Sequence, residues 1–352
     1  MSPSGGGRPT IRDVAEAAGV SVTTVSHVLN EVPSARVAAA TRELVRKTAA
    51  ELAYSPSRLA RGLRLKQSLT LALIGDEIVT TPYAGRMIQG AQDAAMARGR
   101  TLLLFNTGGV PAVEEQILTN LGEYQVDGVI YAALYHRKVA VPRQLSEYSV
   151  VLLDCFAGKS APPAIVPDEY TGACDAMRQL TAAGHRRIGH ITIPEPIPAQ
   201  VARLRAYRDT LPAQDGAPQR PMVAEGAVNE ARGGYPAALS LLRSANPPTA
   251  LFCFSDRMAM GAYQAAAELG LSIPGDLSVV GFDDQALIAD SLFPGLTTVA
   301  LPHYDMGAWS VNTLVDFVEG VSVPRSGEVT LAACPVVVRE SVRVVGGATD
   351  TA

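Results

Sequence analysis

The stretch from Ser21 to Asn30 arranges its side chains in a pattern that could read nucleic acid. At helical spacing its apolar side chains share one face, and these are Val25, Val28 and Leu29. The other face carries small or polar groups near its amino-terminal end, namely Val22, Thr23, Ser26 and His27. Exposed helical faces of this kind contact base edges in the DNA major groove. The same pattern also fits a capped helical hairpin of a small domain, and the stretch alone leaves both interpretations open.

A basic segment at residues 57–67 follows and contains Arg58, Arg61, Arg64 and Lys66. Gly62 in its middle costs a helix about 1 kcal/mol relative to Ala, so a helix of one or two turns there is marginal in water. Residues 1–68 carry a net charge of +5 and residues 69–352 carry −9, which gives −4 in total. A basic head on an acidic body favours a polyanion-binding module attached to a second module. A solvated basic linker is the alternative interpretation of this segment.

Three short helices are predicted to position the first stretch, over residues 11–18, 22–29 and 41–53. Gly19 ends the first helix, and Ser21 is placed to cap the second. The spacing therefore predicts an all-α head in which two helices are joined by a tight turn.

From residue 69 the sequence changes to short apolar runs that alternate with longer helical patterns. The strand candidates are 69–74, 101–105, 126–131, 150–153, 187–192, 250–254, 277–282 and 298–301. Helical patterns lie between them, such as 85–98, 171–183, 200–211, 257–269 and 306–318. Strands joined by helical crossovers form parallel sheets covered on both faces, and Gly/Pro breaks divide the region into two halves. We expect an α/β core of two lobes with a ligand cleft between them.

Composition and motifs limit the classes of function. The chain has 352 residues, 47% of them hydrophobic and 18% charged, and a mean hydropathy of +0.14, which suits a globular protein of several domains. Since no apolar run reaches the roughly 18 residues of a membrane helix and no signal peptide is recognised, we expect a cytoplasmic protein rather than an exported solute receptor. The four cysteines lie scattered in apolar stretches, which predicts reduced, buried thiols.

Motifs of enzymes are not recognised in the sequence. His136, His185, His190 and His303 have no metal-ligand spacing, and neither a nucleophile elbow nor a phosphate-binding loop is found. We therefore predict no metal, no cofactor and no enzymatic activity. The adjacent carboxylates Asp283 and Asp284 keep weak hydrolase chemistry open as an alternative.

Landmarks along almost the whole chain resemble the lactose-repressor (LacI/GalR) family of transcription regulators. In the head they are residues 11–21, 24–30, 41–42 and 52–56. In the body they are residues 184–188, 248–250, 256–261, 274–284 and 296–299. The resemblance implies a helix-turn-helix head and a hinge helix, followed by a two-lobed core like that of periplasmic binding proteins.

Domain boundaries follow from this resemblance. It implies a flexible tail at 1–9, a DNA-binding domain at 10–56, a hinge helix or linker at 57–68, a core at 69–345 and a tail at 346–352. Lobe 1 is expected at about 69–163 and 296–323, and lobe 2 at about 164–293 and 326–345.

The resemblance also implies residues that contact DNA. Val22 and Thr23 fall where the family has its main sequence-reading side chains. His27 stands where Arg is commoner, and because neutral His offers one donor and one acceptor instead of two donors, base preference does not carry over. Leu63 matches a hinge leucine that is wedged into the minor groove and kinks the operator. The full set expected at the DNA is Thr10, Ser21, Val22, Thr23, Thr24, Ser26, His27, Asn30, Tyr54, Arg58, Ala60 and Leu63.

In the core, the resemblance implies an effector site. Arg203 matches an arginine that contacts effectors, and Asp283 matches an effector-binding carboxylate. The other expected contacts are Tyr83, Asp154 and Asp256. A helix cap is the alternative for Asp256, which directly precedes an apolar helix. Several carboxylates with one arginine suit a neutral polyhydroxylated ligand such as a sugar, but Thr81 and Ser255 replace the family's usual Asn residues, so the ligand itself does not carry over.

Partners and regulation follow from the same resemblance. It implies a repressor that binds a pseudo-palindromic double-stranded DNA operator as a homodimer at the bacterial nucleoid, with no membrane partner. A small-molecule effector between the lobes changes the affinity for the operator. The alternative is a corepressor-type regulator, in which a ligand such as a nucleobase strengthens DNA binding.

Overall fold

The structure, a computed structural model, describes residues 9–29, 35–54, 67–77, 84–212 and 220–345. It divides into two units, Met1–Leu69 and Thr70–Ala352, which we call the head and the core. Among the described helices, none has the length and apolarity that crossing a membrane requires.

The head consists of three short helices around a small apolar centre. They are α1 (Ile11–Ala17), α2 (Val22–Leu29) and α3 (Ala39–Glu51). Between α1 and α2, Gly19 has a φ of +63°, which glycine adopts without strain, so the chain turns tightly there. The fully buried side chains are Val14, Val25, Val28 and Val45. The predicted helix-turn-helix is confirmed, with α3 beginning two residues before the expected start.

The core contains short strands alternating with helices. Its strands are β1 (Thr70–Gly75), β2 (Thr101–Asn106), β3 (Gly128–Lys138), β4 (Ser149–Phe156), β5 (Ala164–Pro167), β6 (Ile188–Thr192), β7 (Met222–Glu225), β8 (Ala250–Cys253), β9 (Ser278–Val280), β10 (Thr298–Val299), β11 (Val329–Ala332) and β12 (Val336–Val337). Its helices are α4 (Ala84–Ala97), α5 (Pro111–Asn120), α6 (Glu169–Ala182), α7 (Pro198–Thr210), α8 (Ala231–Leu242), α9 (Asp256–Glu268) and α10 (His303–Val318). Short 3-10 helices lie at Leu121–Tyr124 and Arg143–Glu147.

Lobe 1 is built on a six-stranded parallel sheet in the order β11-β5-β4-β3-β1-β2. Side chains of β1 alternate between its two faces, so that Leu71 and Leu73 pack against α4 and α10 while Ile74 packs on the side of α5. Helices α4 and α10 approach each other closely, because a side chain on Gly90 would collide with the backbone carbonyl of Tyr304.

Lobe 2 is built on a four-stranded parallel sheet in the order β7-β6-β8-β9. Helices α8 and α9 cover one face over Leu251 and Val279, and α6 and α7 cover the other over Phe252 and Val280. The antiparallel pair β10-β12 lies beside β9, to which it is joined by the bridge between Val280 and Thr297.

Within the described part of the core, the chain passes between the lobes three times, after β5, after β10 and after β11. The boundaries between the lobes differ from those expected from the sequence, because strand pairing decides to which lobe a segment belongs. Residues 164–167 and 329–332 lie in the sheet of lobe 1, and residues 297–300 lie beside the sheet of lobe 2.

Cysteine placement agrees with the sequence expectation. All four thiols are unpaired and buried, and they are Cys155, Cys174, Cys253 and Cys334.

Candidate DNA-binding face and ligand cavity

Hydroxyl groups orient the start of α2. The Oγ atom of Ser21 accepts a hydrogen bond of 3.1 Å from the backbone N–H of Thr24, and the two hydroxyl oxygens lie 2.9 Å apart. Ser21 therefore caps α2, as its sequence position predicts. These two candidate DNA contacts thus also hold the amino-terminal end of the helix in place.

The two faces of α2 differ in exposure as the spacing predicts. Val25 and Val28 are fully buried against the other head helices, whereas Val22 is 41% exposed. Thr23 is also exposed, and Ser26 and His27 are half-buried beside it. One short stretch of α2 therefore presents the predicted sequence-reading side chains on a single face.

Two further candidates lie at the ends of the helical region. Thr10 donates its backbone N–H and its hydroxyl to Asp13 Oδ2, at 2.6 and 2.9 Å, which fixes the start of α1. These bonds lower the pKa of the Asp13 carboxyl. Tyr54 is half-buried and packs against the apolar centre of the head. The candidates Asn30, Arg58, Ala60 and Leu63 lie outside the described residues.

A cavity of about 300 Å³ lies between the two lobes of the core. Lobe 1 contributes the carboxyl ends of β3, β4 and β5, and lobe 2 contributes the loops after β6, β8 and β9. Apolar and aromatic side chains form much of its wall, among them Tyr135, Ile193, Ile197, Phe254 and Leu301. Concave sites of this size and composition hold small molecules.

Arg203 lies in the cavity wall on α7 and is almost fully enclosed by protein. Its Nε atom donates to Glu169 Oε2 at 2.7 Å, and its Nη1 atom donates to the backbone carbonyl of Phe254 and reaches Asp283 Oδ1 at 3.4 Å. The guanidinium also stacks on Phe282, 3.6 Å from the ring centre. These contacts hold the guanidinium of Arg203 in one orientation.

Asp283 follows β9 and faces the same cavity with a φ of +108°. Its other oxygen, Oδ2, accepts a hydrogen bond of 3.0 Å from the side-chain amide of Gln285. Burial, together with the nearby Glu169 charge, raises the pKa of Asp283 to about 6 against the opposing effect of Arg203. Arg203 and Asp283, two of the effector candidates, therefore lie together in the wall of one cavity.

Asp154 lies near the carboxyl end of β4, on the opposite wall of the cavity, and is 3% exposed. Its Oδ1 atom has no hydrogen-bond partner among the described residues, and neither has the buried Nδ1 atom of His136, which extends from β3 into the same cavity. Burial raises the pKa of Asp154 well above its usual value, and the Glu169 charge adds to this effect. Burial also lowers the pKa of His136, which favours the neutral imidazole.

Asp256 is not in the wall of this cavity. Its two carboxyl oxygens accept hydrogen bonds from the Thr298 hydroxyl at 2.6 Å and from the backbone N–H of Gln285 at 2.8 Å. It is fully buried, which together with the Asp283 charge raises its pKa to about 8. The helix-cap alternative does not hold either, because Ser255 Oγ accepts the capping bond from Met258 N–H at 3.2 Å. Asp256 instead ties the loop after β9 to β10.

Among the cavity residues that sequence patterns missed are Glu169 and His136. Glu169 follows β5, a strand of four residues that was not identified, and it lies 34 residues before Arg203, its ion-pair partner. His136 was considered only as a metal ligand, and the described residues contain no cluster of metal-binding side chains. The candidate Tyr83 lies outside the described residues.

His185, which has no metal-ligand spacing in the sequence, makes structural contacts within lobe 2. His185 bonds through Nδ1 to the Thr249 hydroxyl and through Nε2 to the Ser278 hydroxyl, each at 2.9 Å.

Comparison with known proteins covers both parts of the chain. Residues 10–57 match the model described as bacterial regulatory proteins, lacI family, and residues 177–342 match the periplasmic binding protein-like domain. The chain is 33% identical over 334 residues to the ribose operon repressor of Haemophilus influenzae, covering 95% of this chain and 98% of that protein.

Solved structures give the same result. A lac repressor dimer bound to operator and the anti-inducer ONPF is 27% identical, with a TM-score of 0.71 over 96% of this chain and 100% of that one. A complex of the transcriptional regulator CelR with cellobiose is 29% identical, with a TM-score of 0.64 over 95% of this chain and 100% of that one.

Proposed function

Because the chain belongs to the lacI family of bacterial regulatory proteins, we propose that it is a transcriptional repressor whose affinity for operator DNA is changed by a small polar ligand. The observation that carries this proposal is the combination, in one chain, of an exposed reading face on α2 and a partly polar cavity between two lobes. A relative that covers nearly the whole chain is itself named as a repressor.

The head and the following segment bind the operator. Val22 and Thr23 contact base edges, with Ser26 and His27 beside them and the Ser21 cap holding the helix in place. Residues 57–68 act as a hinge that folds on DNA, where Leu63 enters the minor groove and Arg58 and Ala60 lie beside it. The other proposed DNA contacts are Thr10, Thr24, Asn30 and Tyr54.

The cavity of the core binds the effector. Arg203, Asp283, Asp154 and Tyr83 contact the ligand. Asp256 supports the site through Gln285, whose side chain bonds to Asp283. A sugar is the ligand class we propose, because hydroxyl groups match carboxylate acceptors and because relatives are named for ribose or hold cellobiose.

The cavity lies at the crossovers between the lobes, and this position explains how a ligand in it changes DNA binding. Pro167 and Glu169 lie at the first crossover between the lobes, and Leu301 and His303 lie at the second. A ligand that binds one relative orientation of the lobes more tightly shifts the population toward it. In a homodimer this shift changes the spacing of the two hinge segments, which then fold together on a pseudo-palindromic operator or separate.

The proposed location is the bacterial cytoplasm, where the protein is bound to the nucleoid. This follows from its partner, since the operator is chromosomal DNA.

The test is binding of the purified protein to the DNA upstream of its own gene, measured by gel retardation with mono- and oligosaccharides and nucleobases added in turn. We expect a retarded complex that one compound dissolves or strengthens, and the direction of that change gives the sign of regulation. Leu63→Ala should weaken operator binding more than tenfold, or by more than about 1.4 kcal/mol, because without the wedge the duplex is not kinked and the contacts that the bend permits are lost. Ligand binding should be unchanged. Absence of any specific retarded complex would refute the proposal, and unchanged affinity of the variant would refute the wedge.

A further inference from the structure

Carboxylates outnumber cations in the wall of the cavity. The acidic side chains are Asp154, Glu169, Glu195 and Asp283, and the cationic ones are Arg203 and Arg257. An excess of carboxylates by itself says only that the wall is acidic. The pairing of the buried groups determines which ligand the cavity accepts.

Arg203 is neutralised by the protein itself. The side chains of Arg203 and Glu169 are 3% and 4% exposed, and their ion pair is 2.7 Å long. Asp283 lies 3.4 Å from the same guanidinium and is 13% exposed. An arginine recognises a phosphate or a carboxylate through two parallel N–H bonds, and here the Nε and Nη1 atoms already donate to Glu169 and to the Phe254 carbonyl.

Two buried polar atoms that have no hydrogen-bond partner among the described residues belong to side chains lining the cavity from lobe 1. They are Asp154 Oδ1 and His136 Nδ1, on the neighbouring strands β4 and β3. Buried polar atoms without a partner are costly, so a ligand that bonds to them gains affinity. Hydroxyl groups suit both atoms because they donate and accept, whereas an anionic group would face the carboxyl of Asp154 and the negative charge of Glu169.

We propose that Glu169 excludes anionic ligands from this cavity by occupying Arg203, and that the ligand is an uncharged polyol whose hydroxyl groups bond to Asp154 and His136. This inference rests on the proposed effector site and specifies its ligand class. Sugar phosphates, sugar acids and nucleotides are rejected, and their uncharged counterparts are accepted. Glu169 is thus a specificity-determining residue of the cavity.

The test compares the thermal stabilisation by inorganic phosphate, at an ionic strength held constant with chloride, between the wild type and Glu169→Gln. Glutamine keeps an oxygen that accepts from Arg203 and removes the charge, so phosphate can enter the cavity and pair with the guanidinium. Half-maximal stabilisation of the variant should need a phosphate concentration roughly tenfold lower than that of the wild type, as expected for one charge-assisted hydrogen bond. Glu147→Gln, an exposed carboxylate of lobe 1 that does not line this cavity, is the matched control and should respond like the wild type. Phosphate bound by the basic head contributes equally to all three proteins.

Equal responses of the wild type and Glu169→Gln would overturn the inference. A second measurement uses the wild type alone, so it does not depend on folding of the variant. Ribose 5-phosphate should stabilise it no more than inorganic phosphate does, and clear extra stabilisation would overturn the inference as well. Operator retardation is measured on the same preparations. If DNA is bound while anions enter the wild-type cavity, only this inference fails, and if DNA is not bound, the proposed function fails.

Discussion

Replacing Asp154 by asparagine should stabilise the core at neutral pH. Burial holds the pKa of this carboxyl well above its usual value of 3.8, so the folded protein retains a proton that the unfolded chain releases. Between these two pKa values the folded state binds more protons, and its stability therefore decreases as the pH rises. Asparagine has almost the same shape and does not ionise, and it tolerates the left-handed φ of +54° at this position.

The size of the effect follows from the environment of the carboxyl. Asp154 is 3% exposed and its Oδ1 atom has no partner among the described residues. Asparagine keeps an oxygen in the same place, so the gain comes only from removing the ionisation, which costs the wild type about 1.4 kcal/mol for each pH unit between the two pKa values. We therefore expect Asp154→Asn to gain about 1–3 kcal/mol at about pH 7.5. The gain should become smaller toward about pH 5, because the unfolded chain then also begins to hold the proton.

Urea unfolding followed by tryptophan fluorescence measures this difference. Trp309 is the only tryptophan of the chain and packs against the apolar centre of lobe 1, the lobe in which Asp154 lies. With a denaturant slope of about 3 kcal/mol/M, the midpoint should rise by roughly 0.3–1 M at unchanged slope. Asp154→Ala is the control, since it removes the same carboxyl but places a residue that disfavours left-handed φ there, at a cost of about 1–2 kcal/mol.

Two results would refute this reasoning. One is an Asp154→Asn protein less stable than the wild type at about pH 7.5, and the other is a gain that does not change with pH. The same variant should bind an uncharged polyol more weakly while its operator binding without ligand is unchanged, which separates the ligand contact from the stability effect.

Three other perturbations have defined outcomes. Ser21→Ala removes the α2 cap and should destabilise the head by about 1 kcal/mol, visible as faster amide hydrogen exchange in α2 but not in the core, and unchanged exchange would contradict the capping role. Tyr207→Phe removes a buried hydroxyl that donates to the Ile188 carbonyl at 2.8 Å and accepts from Met222 N–H at 2.9 Å, so urea unfolding should show a loss of about 1–3 kcal/mol, and equal stability would be inconsistent with these bonds. Burial lowers the pKa of His190 to about 4, so below about pH 6.5 the unfolded chain binds a proton that the folded protein does not. The Tm should therefore decrease as the pH falls from about 7 to 5, and His190→Phe should make that decrease smaller. An equal dependence of Tm on pH in both proteins would exclude His190 as its source.

Local signals in the sequence were sufficient to predict which face of α2 is exposed. The exposure of Val22 and the burial of Val25 and Val28 follow from the helical period, and the Ser21 cap is a contact across three residues. Such contacts join residues that are close in the sequence, so they can be predicted without knowing the tertiary structure. The parallel α/β class of the core was predictable for the same reason, because apolar runs and helical patterns alternate regularly.

The edges of the lobes were less predictable. Strands β5, β7, β11 and β12 were not identified from the sequence, and neither was α8, which contains Pro236. Their place in a sheet depends on which neighbour they pair with. Residues 164–167 therefore joined lobe 1, although the sequence order suggested lobe 2.

The sequence by itself determined the two-part organisation, the exposed face of α2 and the presence of Arg203 and Asp283 near a cleft, because each has a local pattern or lies in a recognisable motif. Only the tertiary structure decided which charged and polar groups line the cleft and which of them are paired. The pairing of Arg203 with Glu169, the unpartnered atoms of Asp154 and His136, and the removal of Asp256 from the cavity wall all depend on which strand ends meet between the lobes. Those contacts join residues far apart in the chain, and their electrostatic consequences arise from burial, which no local pattern specifies.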